Sequence, residues 1–240
     1  MPLPKINTPT FELELPSTGK KIKYRPFLVR EEKILIMAME SDDMKQITDS
    51  IVQILSDCII TKGIKVEKLS TFDIEYLFLN VRSKSVGEKV EVNVTCPDDG
   101  ETKVQMEIDI DAIKVKKNRA HRSTIKINDE LSMKLRYPSL DQFIESNFDV
   151  RDVQNNVGQS LSMITSCIDM IYNEEESWNA SDSTQKELEE FIEQLNTKQF
   201  KQIEKFFTTM PKLTHTVVVK NPKTKVESEV VLEGLAAFFS

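Results

Sequence analysis

One arrangement of strands and helices occurs twice along this chain, and that repetition limits what it can fold into more than any single motif does. The first half opens with an alternating hairpin, Phe11-Glu-Leu-Glu-Leu15 and Lys21-Ile-Lys-Tyr24. It passes Pro26 into helical segments and closes with Val90-Glu-Val-Asn-Val-Thr-Cys-Pro97 answered by Lys103-Val-Gln-Met-Glu-Ile108. The second half repeats the order. Thr124-Ile-Lys-Ile127 pairs with Leu131-Ser-Met-Lys-Leu135, Pro138 leads into helices, and Thr216-Val-Val-Val-Lys-Asn-Pro222 is answered by Val226-Glu-Ser-Glu-Val-Val231. Apolar and charged residues alternate at period two in these strands, the pattern of a sheet with one wet face.

Between the hairpins the apolar period changes to that of a helix. Ile47, Ile51, Ile54, Leu55, Cys58 and Ile59 form one stripe, with Gly63 as a stop. A helix from Arg30 carries Glu31 and Glu32 at its positive end and turns Ile34, Leu35, Ala38 and Met39 inward. A third helix, capped by Ser70 or Thr71, buries Ile74, Leu77, Phe78 and Val81. In the second half Leu161, Ile164, Ile168 and Ile171 read as a helix, and Glu174 to Ser183 as an exposed loop. Helices follow from Thr184 to Leu195 and from Phe200 to Met210.

The expected fold class is α+β: two tandem similar lobes, each with antiparallel β hairpins packed against a small helical layer. Residues 1–112 form the first lobe, 113–122 a basic linker and 123–240 the second. Within each lobe the two hairpins are expected to join into one sheet. The linker holds Lys114, Lys116, Lys117, Arg119 and Arg122 without an acid, in a chain of net charge −7. It reads as a solvated connection, because it lacks interleaved aromatics and the acidic lobes would repel phosphate. No nucleic acid is expected as a partner.

At 240 residues the chain has room for two cores. No apolar run approaches the roughly 20 residues of a membrane helix, so no membrane insertion is expected. Three cysteines (Cys58, Cys96 and Cys167) are too few and too scattered for a disulfide framework, and a reducing cytoplasm is expected. Cys58 and Cys167 sit on apolar helical stripes as small core residues. Met37, Met39, Met44, Met163 and Met170 are expected to fill core gaps.

Catalytic chemistry finds no foothold. His121 and His215 have no motif that gives either a partner, and neither a phosphate-binding loop nor a dinucleotide fingerprint occurs. Cys96-Pro-Asp-Asp-Gly100 resembles a zinc knuckle in which Asp99 stands where the second thiolate would fall. The matching turn, Asn221-Pro-Lys-Thr-Lys225, supplies no cysteine or histidine. No metal, no cofactor and no enzyme activity are expected. Phe238 and Phe239 at the end of the chain are the surface candidates: they fold back as core or present an apolar patch to a protein partner.

The stretch from Tyr24 through Arg25, Pro26, Phe27, Leu28, Val29, Arg30, Glu31, Glu32 and on to Ser41, with the helix ending at Cys58, resembles the T4-type phage baseplate protein family, which includes a hub subunit and a hub assembly protein. The closing Val-Val-Leu-Glu-Gly-Leu-Ala-Ala-Phe-Phe239 is similar to that family's C-terminal end. The resemblance implies a structural role in the hub region of a contractile tail baseplate, through contacts with other baseplate and tail hub proteins. The alternative it leaves open is a hub assembly chaperone absent from the mature particle. It places the chain in the host cytoplasm during assembly, and in the virion tail baseplate if it is retained. Oligomeric state, neighbours and copy number stay open.

Overall fold

Eleven strands carry the described chain, and the computed structural model covers residues 6–41, 43–140, 142, 157–234 and 237. The first hairpin is β1 (Phe11–Glu14) with β2 (Lys21–Tyr24). Three helices follow: α1 (Val29–Glu40), α2 (Met44–Cys58) and α3 (Thr71–Val86). Next come β3 (Lys89–Thr95), β4 (Lys103–Asp109) and β5 (Lys114–Lys116). The chain continues through β6 (Thr124–Lys126), β7 (Ser132–Leu135), α4 (Val157–Ser166), β8 (Ile168–Tyr172) and β9 (Ser177–Asn179). It ends with α5 (Gln185–Glu193), α6 (Thr197–Thr209), β10 (Lys212–Lys220) and β11 (Glu227–Glu233). Among the described residues every strand pairing is antiparallel, and the class is α+β, as the alternating hairpins and striped helices require.

The chain divides into two units, and their borders differ from the expected halves. Met1–Val66, Phe72–Lys116 and Lys212–Ser240 make up the first unit; Glu67–Thr71 and Lys117–Pro211 make up the second. The last hairpin, expected in the second lobe, therefore belongs to the first unit. Its strand β10 pairs with β11 on one side and with β5 on the other. Lys114–Lys116, expected as linker, is that third strand.

Nor do the hairpins of one half join into a common sheet. β1–β2 and β3–β4 are separate two-stranded sheets. The reason lies in the buried faces. Val90, Val92, Val94 and Ile108 of β3–β4 share one core cluster with Leu213, Val217, Val219 and Leu232 of β10–β11, and Leu79 of α3 joins it. Two apolar faces meeting remove more surface from water than an edge-to-edge pairing would.

In the first unit α2 buries Ile54, Leu55 and Cys58, the deepest part of the predicted stripe. Asp43 caps its start, accepting from the Lys45 N–H at 2.9 Å. After the helix the chain bonds back to β2: the Arg25 N–H donates to the Cys58 carbonyl at 2.9 Å, and the Ile60 N–H donates to the Lys23 carbonyl at 2.8 Å.

In the second unit the sheet order is β6-β7-β8-β9. Its buried residues Ile125, Met133, Leu135 and Ile168 pack with Met163 and Ile164 of α4, Leu188 and Ile192 of α5, and Ile203, Phe206 and Phe207 of α6. Thr184 and Glu187 form a capping box for α5, and Asn196 and Gln199 one for α6. The predicted helix through Ile171 stops at Ser166. Beyond it Ile168–Tyr172 is β8, and the expected loop contains β9.

Candidate functional site

Helix α1 is held from beneath by a buried ion pair. Glu31 is fully buried, and its carboxylate accepts from the Arg25 guanidinium at 2.9 Å, from Arg30 Nε at 2.6 Å and from the Leu28 N–H at 2.7 Å. Burial alone would raise the Glu31 pKa, but these donors bring it down to about 2. The Arg25 guanidinium also donates to the Pro26 carbonyl at 2.9 Å. Glu31 and Ala38 therefore mark the face that α1 turns inward.

The opposite face is open to solvent and mixes apolar side chains with the exposed Lys33 and Glu40. Val29 is 71% exposed, Met37 68%, Ile36 51% and Met39 45%, with Leu28 exposed at the helix entry. Val29 and Ile36 stand two turns apart on one line with Lys33 between them, flanked by Met37 and Met39. Met37 and Met39 were expected in the core. They lie outside it because Glu31 and Ala38 already occupy the buried side. Scattered exposed apolar residues are ordinary, and the grouping of four on one helix makes α1 a candidate contact surface.

The predicted candidates fall elsewhere. Phe238 and Phe239 lie outside the described residues, while Ala237 packs on the core of the first unit. Cys58, Cys96 and Cys167 are free and buried. Burial pushes Cys58 up to about 11 and Cys167 up to about 12, and it raises Cys96 as well. The ring of His121 stacks on Tyr137 at 5.5 Å and tilts against Phe206 at 5.0 Å. His215 sits in β10 opposite Leu232. Among the described residues no group of three His, Cys, Asp or Glu side chains could hold a metal ion. No described helix is long and apolar enough to cross a membrane.

The knuckle-like turn of β3–β4 meets its counterpart. Asn221, fully buried, donates its amide to Asp98 at 3.0 and 3.1 Å and to Asp99 at 2.9 Å. Thr224 donates its hydroxyl to Asp98. Hydrogen bonding from Thr224 and Asn221 holds Asp98 below the usual carboxylate range, and bonds led by Thr102 hold Asp99 well below it. The only sequence signal for this meeting was the shared Asx/Cys-Pro pattern of the two turns.

Compared with known families, residues 8–240 match the model of the T4 bacteriophage base plate protein family. The chain belongs to that family. The match covers nearly the whole chain and takes in both units of this base plate family protein except residues 1–7. Nothing among the curated proteins or the solved structures matches it. For a base plate family protein, contact with other base plate proteins is the coarse function that membership carries.

Proposed function

We propose that this chain is a non-enzymatic structural component of the hub region of a contractile tail baseplate, retained in the particle and acting through protein–protein contact. The observation that carries the reading is the group of exposed apolar side chains on α1 (Val29, Ile36, Met37 and Met39), set on a helix that the Arg25–Glu31 pair holds in place. Its occupant is another baseplate protein with an apolar groove and a basic rim. Acidic residues beyond the end of the patch, Glu40 and Asp43, and the net charge of −7 complement such a rim. Burying these side chains in a groove contributes on the order of 1 kcal/mol each.

The thiol chemistry supports the absence of catalysis. A cysteine nucleophile works as thiolate, and burial holds these thiols protonated.

Matched main-chain bonds support the duplicated-module reading. The Arg25 N–H donates to the Cys58 carbonyl at 2.9 Å and the Arg136 N–H to the Cys167 carbonyl at 2.8 Å. Three residues after each arginine an N–H donates to the side chain three further on: Leu28 to Glu31 at 2.7 Å, Ser139 to Gln142 at 2.8 Å.

Affinity capture from infected cells tests the contact. Wild-type protein brings down baseplate proteins and Val29→Asp/Ile36→Asp does not, although both melt alike; equal capture rejects the α1 surface. Mass spectrometry of purified virions tests retention. A stoichiometric signal fits a resident part, whereas a trace signal replaces that reading with the hub assembly chaperone.

A further inference from the structure

The two turns that meet at Asn221 share a return hydrogen bond and a positive-φ fifth residue, and the first turn is one residue longer. In the first, the Cys96 N–H donates to the Thr102 carbonyl at 2.7 Å and the Gly100 N–H returns to the Cys96 carbonyl at 2.9 Å. In the second, the Asn221 N–H donates to the Val226 carbonyl at 2.9 Å and the Lys225 N–H returns to the Asn221 carbonyl at 2.9 Å. Gly100 and Lys225, the fifth residues of the two turns, take φ of 70° and 68°. Lys225 is the one non-glycine residue with positive φ among those described, so the turn geometry is kept there against steric cost. Cys96 and Asn221 are equivalent first positions, both fully buried. Asp99 and Thr224 are the equivalent fourth positions.

First and fourth positions of a turn between two strands are where a zinc knuckle places its thiolates, and two knuckles facing each other make a tetrahedral site. Of the four positions here, only Cys96 retains sulfur. Around the centre stand the carboxylates of Asp98 and Asp99, and the group placed among them is a donor. The Asn221 side-chain Oδ1 accepts from the Lys223 N–H at 2.8 Å, which directs its NH₂ to three carboxylate oxygens. Thr102 donates its hydroxyl to Asp99 at 2.6 Å and closes the network. A neutral amide thus does what a cation would do: it draws two carboxylates together and ties one hairpin to the other.

We propose that the paired turns are a metal-knuckle framework in which the Asn221 amide takes the place of the ion, and that the framework accepts a zinc-class divalent ion once Asp99, Asn221 and Thr224 are replaced by cysteine beside Cys96. The same geometry gives a second consequence. Asn221→Asp removes the donor and sets a third carboxylate against Asp98 and Asp99, which converts the knot into an oxygen-ligand site for a harder divalent ion.

Two measurements on the full chain test the proposal. The triple variant D99C/N221C/T224C is titrated with Co(II). The expected result is one equivalent bound per chain, with the visible bands of tetrahedral cobalt and a thiolate charge-transfer band, both displaced by zinc; wild type gives neither. If the variant folds only with metal, the same titration followed by circular dichroism reports binding and folding together. The second measurement is the melting temperature of N221D, expected roughly 3–10 °C below wild type in chelator and recovered by Mn(II), which leaves wild type unmoved. A cobalt spectrum without tetrahedral thiolate character overturns the proposal. So does an N221D protein that melts with wild type or that Mn(II) fails to restore.

Discussion

The guanidinium of Arg25 meets the carboxylate of Glu31 at 2.9 Å, where the glutamate side chain is 1% exposed and the arginine 13%. The pair joins the strand leaving β2 to the first turn of α1, so it sets the pose of the helix whose far face is open. Glu31→Gln is expected to cost about 3 kcal/mol, since it leaves a buried guanidinium without its counter-charge. Urea unfolding would read the loss. A midpoint equal to wild type would show that the pair contributes nothing.

Acid acts on the same group. The folded pKa of Glu31, about 2, lies below its ordinary 4.5. The unfolded chain therefore binds a proton first, and the stability Glu31 contributes is complete above 4.5 and lost as pH falls toward about 2. Wild type should lose more stability than Glu31→Gln across that window; parallel curves would contradict the assignment.

His121 titrates closer to neutrality. Burial, with Arg122 adding to it, depresses its pKa below 6.5. Its Nδ1 lies 3.1 Å from the Thr209 hydroxyl, and its Nε2 is buried without a hydrogen-bond partner. Protonation would charge a ring stacked on Tyr137 and Phe206. The contribution of the neutral ring is complete above 6.5 and fades as pH falls below it. Between about pH 7.5 and about pH 5.5, His121→Phe should flatten the decline in stability seen for wild type. An unchanged slope would assign the decline to other groups.

The thiols should be inert in the folded protein. With Cys58 at about 11 and Cys167 at about 12, alkylation near neutral pH should be slow and should accelerate in urea along with global unfolding. Rapid labelling of the native protein by iodoacetamide would refute their burial.

If the halves are copies of one device, Gln142 repeats the capping part of Glu31 without the charge. It accepts from the Ser139 N–H at 2.8 Å and donates to the Ser166 carbonyl at 3.1 Å. Gln142→Ala should cost about 1 kcal/mol, against about 3 for the loss of the Glu31 pair. A larger loss at Gln142 than at Glu31 would argue against equivalent roles.

Much of the fold was legible because its signals are local. Val90, Val92 and Val94 alternate with Glu91 and Asn93, and α2 carries its stripe through Ile54, Leu55 and Cys58. The errors arose where two periods coincide or where partners are distant. Ile168 and Ile171, three apart, continue the stripe of α4, yet in β8 both are buried while Asp169 faces out to Lys134 at 2.8 Å. Strand β9 is exposed at all three residues and has no alternation to read. Which sheet a hairpin joins depends on the face it meets, and no local pattern tells β10–β11 to pack on β3–β4. On α1 the stripe expected to turn inward included Met39, which is exposed, and a first-turn glutamate such as Glu31 carries no local sign that it is buried under Arg25. Nothing in the isolated turn at Cys96 reveals that Asn221 fills its centre.

Complementation by the α1 variant tests the contact role most directly. In a phage lacking the gene for this chain, wild-type protein supplied in trans should restore complete tails. Val29→Asp/Ile36→Asp should fold, melt with wild type and leave tail assembly blocked. Normal yields of infectious particles from that variant would contradict the claim that α1 is the contact surface.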